Sequence, residues 1–202
     1  MKPSTRDRAL LLLTALLASY QVSAGIDGFD ALPIAAYTVA FGVLLVAALL
    51  IFILGFDALD SPIVAIVSTI IPLSLAVGLI HQRAASLRTP YLIFAIVGFL
   101  AVALTRSLPV PGKGPTIVLA VTHGIAGLTI FLLPIILSVQ GKTQPLFSLV
   151  GVGGALIGVG GLLLSFLKTG KPILSRETIM RLFPGLLLLT TTCFVAGFKF
   201  GQ

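Results

Sequence analysis

Seven uninterrupted apolar runs, each about as long as a bilayer is deep, leave this sequence very few folds. A hydrocarbon core about 30 Å thick needs about 20 apolar residues in a helix. Only segments that satisfy their own backbone hydrogen bonds can cross it. The runs cover residues 9–26, 32–55, 61–81, 90–107, 115–138, 146–167 and 177–198. At about 20 residues each they use about 140 positions, which leaves short turns and no room for an extramembrane domain within these 202 residues. The expected fold is all-α: one polytopic integral membrane bundle over 1–202, with seven transmembrane helices.

Charge supports that reading. Only 9% of the residues are charged, against about 25% in a soluble domain. Thirteen Lys and Arg and six Asp and Glu cannot coat a globule of this size. A water-soluble enzyme domain and a nucleic-acid reader are excluded, and no nucleic-acid partner is expected. The partners expected are the lipid bilayer and, for the net charge of +7, anionic lipid headgroups. Protein partners or a homo-oligomer in the membrane complete the expectation.

The breaks between runs are chemical. Gly25-Ile26-Asp27-Gly28 ends the first, and Gly55 to Pro62 separates the second from the third. Ser61-Pro62 is an N-cap followed by a first-turn proline. Pro109-Val110-Pro111-Gly112-Lys113-Gly114-Pro115 cannot continue a helix. Glu177 and Arg181, four apart, form a favourable pair at the start of the last run.

With seven spans, one side collects Lys2, Arg6, Arg8, Arg106, Lys113, Lys168, Lys171, Arg176 and Arg181, and the other Arg83, Arg88, Lys142 and Lys199. The richer side is expected in the cytoplasm. That places the N-terminus inside and the C-terminus outside a cell (inner or plasma) membrane. Tyr20, Tyr37 and Tyr91 then fall near the outer ends of their spans, where interfacial anchors belong. The first run, preceded by Lys2, Arg6 and Arg8 and ending in Val22-Ser23-Ala24, resembles a secretory signal. It is read as retained; cleavage would leave six spans with the same loops on the same sides. Spans 32–107 and 115–198 also allow a 3+3 inverted repeat, supported only by Pro33 meeting Pro115, Val39 meeting Val121 and Gly42 meeting Gly124 at an offset of 82.

Helices in lipid associate through close backbone approach and a few polar links. In the sixth run, Gly154 and Gly158 form a GxxxG pair and Gly151 with Ala155 a small-xxx-small pair, so all four are expected to pack against a neighbouring helix. Pro72, Pro134 and Pro184 interrupt the hydrogen-bond ladders of three runs. Ser68 and Thr69 are placed to serve the carbonyl that Pro72 frees.

Candidate chemistry is sparse. Every Asp and Glu lies outside a run or at its edge, which argues against a pump that titrates an acid at depth. His123, with Thr122 beside it, is the ionisable residue well inside a run. His81 closes the third run, about twelve residues away in depth, so two axial ligands of one haem are not expected from this chain. Thr190, Thr191 and Thr192 sit mid-run in the last span. The ligand- or pathway-lining candidates are therefore His123, Thr122, Ser68, Thr69, Thr190, Thr191 and Thr192. Asp57 and Asp60 stand at i and i+3, but Asp60 is also explained by local capping, and no metal site is expected. The lone Cys193 builds no disulfide or thiolate cluster. Gly141-Lys142-Thr143 lacks the first glycine and the strand of a phosphate loop. Retinal chemistry would need a lysine within the last span, and Lys199 stands at its end.

No catalytic residue stands out, and the sequence requires no cofactor. The expectation is a small permease or channel-like transporter for a neutral or weakly polar solute. The alternatives are a non-catalytic subunit or assembly factor of a larger membrane complex, and a membrane enzyme or binder of pigment, quinone or haem through His123.

Overall fold

The structure is a computed structural model that describes residues 2–26, 30–168 and 173–201. Among the described residues seven helices follow one another: α1 (Thr5–Ala24), α2 (Ala31–Leu54), α3 (Pro62–Arg83), α4 (Arg88–Ser107), α5 (Gly114–Val139), α6 (Ser148–Lys168) and α7 (Arg176–Phe200). Short 3-10 turns at Phe56–Asp60, Ala85–Leu87 and Pro145–Phe147 precede α3, α4 and α6. No strand occurs among the described residues. Each apolar run coincides with one helix to within a few residues.

Among the described residues six helices, α2 to α7, are long and apolar enough to cross a bilayer. The apolar part of α1 is shorter, because Arg6, Asp7 and Arg8 occupy its first turn. That turn is stabilised by a capping box: the Ser4 hydroxyl accepts from the Asp7 amide, and the Asp7 carboxylate accepts from the Ser4 amide at 2.9 Å. In contrast, Ser61 stands at the N-cap of α3 without a side-chain cap hydrogen bond, and Pro62 supplies the first-turn geometry.

Successive helices run antiparallel. We call the end where α1 begins proximal and the other distal. At the proximal end the Arg8 guanidinium lies over the Phe52 ring, joining the start of α1 to the end of α2. Arg176 at the start of α7 donates to Asp60 at 2.7 Å. At the distal end Lys199 of α7 donates to the Tyr20 hydroxyl of α1 at 2.6 Å. The helices close a circuit in chain order, with α7 returning against α1, and α3 also touching α5.

The core is concentrated in the distal half, around α7. Phe198 packs on Tyr37 with ring centroids 4.6 Å apart, and on Phe41 and Phe147 at 6.2 Å. Phe194 meets Phe41 edge-on at 6.5 Å. Such tilted and edge-to-face pairs suit the ring quadrupoles. Gly78 makes room for this cluster, since a Cβ there would come within 2.5 Å of the Tyr37 ring.

Helix α6 uses glycine on two faces. Cβ atoms on Gly151 and Gly154 would strike the backbone and side chains of Ile130, Phe131 and Ile135 on α5. Cβ atoms on Gly153 and Gly160 would strike Phe194 and Leu186 on α7. Ala155 is half-buried. Gly158 is exposed and has open space around its Cβ direction, so it packs on no helix of this chain. The α5-facing glycines are spaced i, i+3 rather than i, i+4: Gly151 and Gly154 meet α5, and Gly158 does not.

Tyr37 departs from the expected interfacial anchor. It is 1% exposed and donates its hydroxyl to Gln82 at 2.8 Å. It shares the inward face of α2 with Pro33, Phe41, Leu44, Ala48 and Ile51, a spacing of three to four residues. Tyr20 remains 42% exposed at the distal end.

Candidate functional site

The residues singled out by sequence do not converge. Thr122 and His123 lie in the proximal half of α5, Ser68 and Thr69 in the middle of α3, and Thr190 to Thr192 in the distal part of α7. Thr122 is buried on the inner face of α5, which repeats every four residues through Ala126, Ile130 and Pro134. Its methyl lies 3.0 Å from where a Gly98 Cβ would stand, so it fills the space that glycine leaves on α4.

His123 is half-buried next to that contact. Its Nδ1 is 3.2 Å from the Leu119 carbonyl oxygen, four residues back in the same helix. In that arrangement Nδ1 carries the proton and donates. Arg106, in the last turn of α4, lies within electrostatic reach of the ring. His81 sits instead in the last turn of α3 at the distal end. The two histidines occupy different depths and cannot flank one planar group.

The intramembrane hydroxyls are spent locally. Ser68 and Thr69 both donate to the Ala65 carbonyl, at 3.1 and 2.8 Å, rather than serving the Ser68 carbonyl that Pro72 frees. Thr191 donates to Leu187 and Thr192 to Leu188, each at 2.8 Å. These are bonds to the carbonyl three or four residues back, the usual fate of a hydroxyl within a helix. Thr190 differs: it is 2% exposed, and its Oγ1 has no hydrogen-bond partner.

Asp57 and Asp60 face Arg176, whose guanidinium is 2.7 Å from Asp60 and 3.9 Å from Asp57. Among the described residues no group of three or more His, Cys, Asp or Glu side chains could hold a metal. Cys193 is a free, buried thiol on α7.

Sequence reading missed the distal polar cluster. Beyond the Tyr37–Gln82 bond, the Arg83 guanidinium stacks over Phe147 at 5.4 Å. Gln82 Nε2 and Arg83 Nε are buried without partners. The signal was Gln82-Arg83 directly after His81, which reads as the start of a loop but forms the last turn of α3.

Fold and side chains together define an α-helical, multi-spanning membrane protein. Compared with protein-family models, curated proteins and solved structures, the chain matches none.

Proposed function

We propose that this chain is a non-catalytic subunit or assembly factor of a larger membrane complex. One observation carries the reading: most of its intramembrane threonines are turned onto their own backbones, while Tyr37 and Tyr91 bond Gln82 and Thr129 on neighbouring helices and Thr190 is unpaired. The hydroxyls of Thr69, Thr105, Thr129, Thr191 and Thr192 and the Nδ1 of His123 all bond a carbonyl one turn back. A solute pathway needs such groups pointed at a shared lumen. The permease reading has no comparable support.

The outer surface favours a protein partner. Gly124, Gly158 and Gly161 on α5 and α6 are exposed, with open space where a Cβ would stand. Outward glycines are notches through which another helix can approach closely. The positive-inside balance supports a cytoplasmic proximal end and an external distal end.

Sizing in a mild detergent tests this. The protein should elute in an assembly larger than its own 21.0 kDa chain with bound detergent, and Gly158→Ile should release it. A monomer that also carries solute into proteoliposomes above the level of empty vesicles would overturn the reading. A cysteine replacing Lys142 should react with an impermeant reagent added outside the cell.

A further inference from the structure

A groove of about 320 Å³ runs along the outside of the bundle between α2, α3 and α4. Ala36, Leu73, Val77, Leu92 and Phe99 shape it, and Ser74 is its one polar lining residue. Ile96 and Leu100 on its α4 rim are each 53% exposed, so it opens sideways, toward lipid. Its volume suits a hydrocarbon chain rather than a helix about 10–12 Å across.

The distal mouth has a different chemistry. Arg88 lies one turn before Leu92, and His81 one turn after Val77, so both stand just beyond the apolar walls. Arg88 Nε donates to the His81 carbonyl at 2.7 Å, which ties the side chain to the distal end of α3. Arg88 is exposed and has no carboxylate partner among the described residues. The His81 Nδ1 is buried there without a hydrogen-bond partner.

We propose that this groove binds an anionic glycerophospholipid, one acyl chain lying between α2 and α4 and the phosphodiester on the Arg88 guanidinium. The His81 Nδ1, buried, does not reach the phosphate, so the headgroup contact rests on Arg88 alone. The chain leaves lipid for a lipid-like wall, so it gains little from transfer. Selectivity comes from the charge: one cation at the surface favours an anionic over a neutral headgroup by about fivefold. This holds whether the protein acts as a subunit or as a permease.

Native mass spectrometry of lipid retained after reconstitution into equimolar phosphatidylglycerol and phosphatidylcholine vesicles tests it. The unmodified protein should retain phosphatidylglycerol about fivefold over phosphatidylcholine. Arg88→Gln should bring that ratio to one, whereas Lys142→Gln, at a distal cation outside the groove, should leave it. Ala36→Phe, which fills the groove at a half-buried position, should lower retention of both lipids. Equal retention by the unmodified protein would overturn the proposal. So would a preference that survives Arg88→Gln, or one that Lys142→Gln removes equally.

Discussion

Helix α7 and the pair α4 and α5 invert the rule that the most apolar element lies innermost. The best apolar window of α7 has a mean hydropathy of 1.7, the lowest of the six membrane-length helices, yet half of it is buried. The windows of α4 and α5 reach 2.0 and 2.1, and only 17% of each is buried. In water this order would be wrong. In lipid the outside is as apolar as a leucine, so hydrophobicity does not drive a helix inward. Inward position goes to the helix whose aromatic and small residues find specific partners. Helix α7 has Phe194, Phe198 and Gly197 for this purpose, while α4 and α5 turn Ile93, Leu100, Ile117 and Leu128 outward.

The largest test of that contrast is a truncation on each side. Phe198→Ala removes the ring that touches Tyr37, Phe41 and Phe147. It should cost about 3 kcal/mol, near the low end for a buried phenylalanine because lipid rather than water is the reference. Leu128→Ala, at 57% exposure, should cost less than about 0.5 kcal/mol. Reversible unfolding in mixed micelles measures both, and comparable losses would break the contrast.

Overpacking sharpens the same point within one helix. Gly153→Val pushes a branched carbon into Phe194 and the Thr190 carbonyl, and should destabilise by about 1–3 kcal/mol. Gly158→Val meets open space, so the isolated chain should keep its stability to within about 0.5 kcal/mol. A loss of assembly without a loss of folding at Gly158 would separate its partner-facing role from the internal role of Gly153.

A further variant should act in the opposite direction. Thr190 buries an unpaired hydroxyl in the most enclosed helix. Thr190→Val keeps the shape and removes that group, so thermal denaturation in detergent should show a gain of about 1 kcal/mol. A loss instead would mean that the hydroxyl has a partner in the membrane. The smallest effect is expected from Arg176→Gln, which frees Asp60 at a half-exposed proximal position. About 0.2–1 kcal/mol should disappear, and less in high salt.

Much of this molecule was readable residue by residue, and the reason is the solvent. The bilayer imposes length, apolarity and internal hydrogen bonding on each segment separately, so the helices and their breaks at Gly55, Pro109 and Gly141 follow from local sequence. The same locality explains Thr191 and Thr192, since a helix offers every hydroxyl an acceptor one turn back; Ser68 and Thr69, expected at the carbonyl that Pro72 frees, take the Ala65 carbonyl instead. The i, i+4 pair of Glu177 and Arg181, 2.8 Å apart, was legible on the same ground. What depended on a second helix was not. Tyr37 looked like a surface anchor until Gly78, Gln82 and Phe198 surrounded it. Gly158 looked equivalent to Gly154 until the crossing of α5 used one and left the other outside. The amino-acid order alone determined that this chain is a multi-spanning helical membrane protein, because transfer into lipid is decided segment by segment. Only tertiary structure decided which faces meet, because two apolar surfaces in an apolar solvent are told apart by shape and by the polar groups each can satisfy in the other.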